Sequence, residues 1–276
     1  MSAGVDAVPL APRWHGAEIA AVRAGAPALA RVTVENAGRA TWHSLGRDGL
    51  QLAYHWLDPL GNPVVWDGAR TALPRPVGPG GSLDVTVAVV APRPPGRYVL
   101  RFDLVEEHRF WLEELGCETL DVPLEVLPRI ARRSLGVVVH GGADDDTEAA
   151  LAAQEEPLAE AGAQAEAVAH LVAGAVPPPD WSRRILDAHA EGWAAVGTAV
   201  VPAEGRIAGR RARRALAAWA PGGRNPRLGA PLLLPSLLAG MEPGRHLGLP
   251  AHLGGDGLFE GRVTVRLPRR SGRRPT

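Results

Sequence analysis

Along the first half of the chain, apolar and polar residues alternate in short runs. From Ala28 to Glu35, Ala28, Ala30, Val32 and Val34 share one parity, and Arg31, Thr33 and Glu35 the other. That is the period of two of a half-buried strand. Asn36-Ala37-Gly38 supplies the turn that ends it. Leu50, Leu52, Tyr54 and Trp56 repeat on one parity, with Gln51 and His55 on the other, so a second strand spans 50–57 and carries His55 on its polar side. Asp58 to Pro63 is a turn cluster, Val64-Val65-Trp66 returns, and Asp67-Gly68 signals a tight turn. Leu83–Val89, Arg97–Val105 and Leu120–Val126 alternate again. Residues 1–16 read as a loose lead-in. Short alternating runs broken by Gly and Pro predict a small antiparallel β-sandwich over residues 17–128.

The pattern changes after Pro128. Pro128 to Ser134 is basic, lacks apolar periodicity and reads as a linker. Leu135–Val139 is a short apolar run that ends in His140-Gly141-Gly142. Asp144, Asp145, Asp146 and Thr147 then open a helical stretch. Strand, Gly-rich turn, acidic cap and helix make the opening of an α/β nucleotide-binding unit. The three Asp residues are read as caps at the positive helix end rather than as metal ligands. Further on, Ala167–Val176 reads as a strand, Ser182–Ala190 as a helix, Ala194–Val201 as a strand and Arg206–Trp219 as a basic helix with a solvated Arg face. The predicted class is therefore mixed: an all-β immunoglobulin-like sandwich, then a small α/β domain over residues 135–268.

Composition narrows the function more than the fold. Of the 276 residues, 46% are apolar and 22% charged, enough for a real core. Thirty basic residues balance thirty acidic ones, which argues against nucleic acid as a partner. Every basic residue is Arg, which reflects coding bias more than chemistry. Cys117 stands alone, so no intrachain disulfide can form. The start of the chain lacks the basic and apolar segments of a signal peptide. No run reaches the ~18 apolar residues of a membrane span, and the expected location is the cytoplasm.

Candidate chemistry is sparse. Trp42, Trp56, Trp66 and Trp111 recur among the strands, where aromatic rings ordinarily fill the core. Trp66, beside the Asp67-Gly68 turn, is the one best placed to stack on a sugar. Glu106-Glu107 and Glu113-Glu114 read as solvated surface. His43, His55 and His108 lack the close spacing of a metal site, so no metal ligand is expected, and His55 is expected to face solvent.

Asn36-Ala37-Gly38, Thr41-Trp42, Tyr54-His55-Trp56, Asp67-Gly68, Pro79-Gly80, Ala91-Pro92-Arg93-Pro94-Pro95-Gly96-Arg97-Tyr98 and Asp103-Leu104 follow one another. This order resembles the immunoglobulin-like sandwich related to the tryptophan-rich domain of autophagy cargo receptors. Such sandwiches are similar to accessory modules on bacterial glycosyltransferases, methyltransferases and polysaccharide exporters. The resemblance implies a glycan or protein partner.

The second half resembles a family 2 glycosyltransferase with the nucleotide-sugar-binding GT-A fold. Leu135–Gln154 is similar to that family's first strand and helix, Pro177–Val201 to the segment after its metal-binding motif, and Leu232–Leu267 to the region of its catalytic base. The resemblance makes Glu260 the base that takes a proton from an acceptor hydroxyl. His140 and Asp256 join Trp66 as candidate substrate-binding residues. One departure weighs against activity. Where the family carries an Asp-x-Asp motif, Ala169 to Val176 holds no carboxylate, and His170 alone suits a hard cation poorly. The base-gripping strands also have no room between Gln154 and Val168. The resemblance thus implies a shortened, catalytically impaired transferase of surface polysaccharide or glycan synthesis, or else a non-catalytic binding module. No cofactor is expected. A nucleotide-sugar donor and a divalent ion are implied only for an active enzyme.

Overall fold

The computed structural model describes residues 10–45, 49–140, 142–160, 165–172, 174–202 and 257–267. The chain forms two compact units, Met1–Leu127 and Pro128–Thr276.

The strands of the first unit are β1 (Pro12–Ile19), β2 (Val22–Arg23), β3 (Pro27–Asn36), β4 (Leu50–Leu57), β5 (Pro63–Val65), β6 (Thr71–Ala72), β7 (Ser82–Val90), β8 (Gly96–Glu106), β9 (Phe110–Trp111) and β10 (Leu120–Leu127). A 3-10 turn, Leu112–Leu115, follows β9. One sheet has the order β1-β3-β7, and the other β2-β10-β8-β4-β5, with β6 on β4 and β9 on β8. Apart from β2, which runs parallel to β10, the pairs are antiparallel. The predicted sandwich is present. The lead-in reading of residues 1–16 is corrected: β1 starts at Pro12. Its polar-aromatic sequence hid the alternation, and a register shift between Trp14 and Gly16 breaks it further.

The core lies between the sheets. Val32 and Val34 of β3 and Leu83, Val85, Val87 and Val89 of β7 form one side of it; Leu52, Tyr54 and Trp56 of β4 and Leu100, Phe102 and Leu104 of β8 form the other. β7 alternates between exposed and buried along its whole length, so its sheet keeps one open face. Two polar devices tie the sheets. Tyr54 Oη accepts the Val90 N–H at 3.0 Å, and the Trp56 indole N–H donates to the Val90 carbonyl at 2.9 Å. Val90 stands opposite Pro27, which has no N–H to offer it. Asn36, fully buried, donates from Nδ2 to the Ala40 and Val77 carbonyls, each at 2.8 Å, and accepts the Gly38 N–H at 3.0 Å. It thereby holds the segment carrying Trp42, which forms an isolated antiparallel bridge with Val77.

The second unit contains β11 (Leu135–His140), α1 (Asp145–Ala152), β12 (Leu158–Ala159), β13 (Ala167–Val172), α2 (Trp181–Glu191), β14 (Ala195–Pro202) and β15 (Gly257–Leu267). β11 lies between β12 and β13, parallel to both, and β14 pairs parallel with β15. The described residues of this unit thus combine parallel strand pairs with two helices. Asp144 caps α1 as predicted, its side chain accepting the Thr147 N–H at 2.9 Å. Leu135, Leu171, Trp181, Ile185, Leu186 and Val265 form the core. Gln154 joins the end of α1 to the start of α2: it donates to the Ala150 and Pro178 carbonyls and accepts the Ser182 N–H. The linker reading of Pro128–Ser134 is corrected. Arg129 bonds the Gly192 carbonyl, the Ala131 and Arg132 amides bond Glu166, and Arg133 pairs with Glu156 and Asp187. Each of these partners belongs to the second unit. The predicted basic helix at 206–219 lies outside the described residues.

Two substitutions test the sandwich. Trp42 is almost fully buried, so Trp42→Ala should destabilise the protein by ~3–5 kcal/mol in urea denaturation. Its indole N–H has no partner among the described residues, so Trp42→Phe should cost much less, under about 1.5 kcal/mol. Equal losses in the two variants would show that the indole nitrogen matters.

Candidate functional site

The outer face of the larger sheet carries the polar parity of β4 and β8, and part of that face is covered. Ala53 stands opposite Asp103 and His55 opposite Arg101. After Gln51 every residue of β4 is buried, as is every residue from Phe102 to Glu106 in β8. The cover has two parts. The first is the segment between β5 and β6, anchored where the Gly68 N–H meets the Tyr54 carbonyl at 3.0 Å. A Cβ on Gly68 would fall 2.3 Å from that same oxygen, so only glycine allows the segment to lie this close to β4. The second is β9 with the 3-10 turn. It is held by the Trp111 N–H donating to Glu114 and by Gly116, whose φ of 80° closes the turn.

Beneath this cover lies His55. Its expected solvent exposure is corrected: the residue is fully buried. The ring stacks on Trp66 with centroids 4.1 Å apart and lies 4.3 Å from the Trp111 ring. Nδ1 donates to the Trp66 carbonyl, which leaves Nε2 as the bare nitrogen, and Nε2 has no partner among the described residues. Burial lowers the His55 pKa, against the opposing effect of the hydrogen bond to Trp66.

Asp103 is also fully buried. Its oxygens accept the Leu104 N–H at 2.7 Å and the Glu113 N–H at 3.1 Å. Burial nevertheless pushes the carboxyl up to about 6, the two backbone bonds opposing the shift only in part. Glu113 accepts Arg101 Nη1 at 2.6 Å through Oε1, while its Oε2 is buried without a partner. One ligand atom from each of His55, Asp103 and Glu113 lies within 4.8 Å of the other two. This is the one such group among the described residues. Arg101 is also held by both oxygens of Asp121, at 2.7 and 2.8 Å. The solvated-surface reading holds for Glu114, which is exposed, but is corrected for Glu106, buried against Arg109, and for Glu113, half-buried beside Arg101.

Trp66 forms the outer edge of the cluster. Trp42, Trp56 and Trp111 are buried, whereas Trp66 keeps 41% of its surface exposed. Arg70 is paired with Asp67 at 2.8 Å and Glu107 at 3.0 Å and lies 4.7 Å from the Trp111 ring centroid. The other candidates belong to the second unit. Glu260 stands opposite Thr198, directly before a register break after which Ala199 pairs with Thr264. His140 ends β11 opposite Val172. The side chains of Glu260 and His140, and the whole of Asp256, lie outside the described residues.

Sequence reasoning missed Asp103, Glu113, Arg101 and Arg70. One signal was available: Asp is depleted from strands, and Asp103 falls in the middle of one.

No family model matches the chain, and no curated protein matches it. Solved structures of similar shape include the C-terminal domain of wzt, at 10% identity and a TM-score of 0.26, covering 44% of this chain and 80% of that one. AvmM, which catalyses macrocyclization in alchivemycin A biosynthesis, is 11% identical with a TM-score of 0.24 over 43% of this chain and 88% of its own. The ASH/PapD-like domain 7 of human CEP192 is 15% identical with a TM-score of 0.22, over 45% and 88%. No described helix is long and apolar enough to cross a membrane.

Gly68→Ala tests how the cover is held. The added methyl must displace either the segment or β4, so the variant should lose at least about 2 kcal/mol and the Trp emission should shift red as Trp66 and Trp111 lose their packing. An unchanged emission maximum would mean that the cover does not depend on this contact.

Proposed function

We propose that the first unit is a recognition module that binds a glycan on the Trp66 face. One observation carries this reading. Trp66 is a large exposed ring held in place by its stack on His55 and by an edge contact with Trp111 at 6.1 Å. An immobilised ring loses little rotamer entropy on binding, and an indole offers a flat apolar surface to the C–H face of a pyranose. Asp67, Arg70 and Glu107 lie alongside, supplying acceptors and donors for sugar hydroxyls. Nothing in this arrangement requires catalysis.

A second reading keeps a glycosyltransferase role for the second unit, with Glu260 as base acting on a nucleotide-sugar donor. Its support is the irregularity in β15 directly after Glu260, since bulges gather beside active sites. The absence of carboxylates from Ala169 to Val176 goes with impaired donor binding, because a cation ordinarily balances the diphosphate.

Calorimetry of the full chain against a panel of oligosaccharides separates the two. Trp66→Ala should weaken glycan binding at least tenfold; losing the stack on His55 should lower the thermal midpoint, but the variant should stay folded at the titration temperature. Binding as tight as wild type would remove the Trp66 face from recognition. For the second reading, donor turnover should be lost in Glu260→Gln, which keeps the shape of the side chain but cannot accept a proton. Full turnover in that variant would exclude Glu260 as the base.

A further inference from the structure

We propose that His55, Asp103 and Glu113 form a binding site for a divalent transition-metal ion of the zinc class, which pins the cover of the first unit to its sheet. The inference is independent of whether the Trp66 face binds a glycan.

Three observations converge. The first is geometry: the three ligand atoms lie within 4.8 Å of one another. Ligands of a tetrahedral ion at 2.0–2.2 Å lie about 3.4 Å apart. Closing the set therefore needs the widest pair to approach by at most about 1.4 Å, and Glu113, 34% exposed, is the least confined of the three side chains. The second is unmet bonding. His55 is fully buried with Nδ1 committed to a carbonyl, and its Nε2 has no partner. A second ring bond of this kind, fixing tautomer and orientation, is what metal-bound histidines ordinarily carry. Glu113 Oε2 is buried and unpartnered as well. The third is charge. Asp103, Glu113 and Asp121 surround a single guanidinium, that of Arg101, which leaves two negative charges when all three carboxylates are ionised. Arg70 is already engaged by Asp67 and Glu107.

The donor set selects the ion. One imidazole with two carboxylates suits zinc and its first-row neighbours. Magnesium and calcium favour sites made of oxygen alone. The ligands come from β4, β8 and the 3-10 turn after β9. A bound ion would therefore cross-link the cover to the sheet and hold the His55 ring under Trp66. Protein ligands fill three positions, and a water on the Glu113 side would fill the fourth.

The test uses the tag-free full chain, stripped with a chelator. Calorimetric titration with Zn²⁺ should show one equivalent bound in the cluster, a higher thermal midpoint and a change in Trp emission, because Trp66 and Trp111 touch the His55 ring. Mg²⁺ and Ca²⁺ should bind at least a hundredfold more weakly. Glu113→Gln keeps an oxygen for Arg101 and sits half-exposed, so it should fold normally; it should weaken Zn²⁺ at least tenfold and remove the emission change. His43→Ala should bind as wild type. Absence of Zn²⁺ binding, or binding and emission unaltered in Glu113→Gln, would overturn the proposal.

Discussion

Two ionisable side chains buried on the outside of a β-sheet constrain the first unit. His55 and Asp103 lie on the face that points away from the sandwich core, yet neither reaches solvent. Burying such groups is costly unless their bonding is met. The structure meets part of it with the Trp66 carbonyl and with the Leu104 and Glu113 amides. The cover must therefore sit where it does, because its own backbone supplies two of these three partners. Trp66 and Trp111 then seal the pair from water with their rings, and Ala53 is small enough to leave room beneath them.

The sandwich core supplies the rigidity on which that cover rests. Strands β3, β4, β7 and β8 interdigitate large apolar side chains, and two buried polar links stand where the backbone ladder fails. Val90 is the clearest case: its partner is a proline, and Tyr54 and Trp56 from the opposite sheet take up both of its backbone groups. Asn36 does the same for the turn leading to Trp42. Such fully satisfied buried groups specify one register where apolar packing alone would tolerate several. A face built on this frame can present Trp66 with little loss of freedom on binding.

The second unit follows a different logic. Its parallel strands need covering helices, and α2 provides Trp181, Ile185 and Leu186 to the sheet. The Pro128–Ser134 segment is drawn in by charge, Arg133 alone engaging two carboxylates. Parallel strands beside helices occur with many chemistries, so this arrangement by itself points to none.

Local pattern carried far in this chain. Period-two alternation placed β3, β4, β7, β8 and β10 to within about two residues, and the Asp144 cap was readable from its position before Thr147. These features depend on a few neighbouring residues, and the backbone obeys them locally. β1 was hidden because Trp14, His15 and Gly16 offer no alternation. His55 was misjudged for a deeper reason. Parity tells which face of the sheet a side chain occupies, but not whether that face is covered. The covering residues, Trp66 and Trp111, lie 11 and 56 positions further along the chain, and Asp103 and Glu113 meet His55 only after β4 pairs with β8. The sequence alone therefore determined strands β3, β4, β7, β8 and β10, their core parity and the exposed candidate at Trp66. Tertiary structure alone decided that three distant polar residues share one cluster, because that proximity comes from strand pairing and loop folding rather than from spacing.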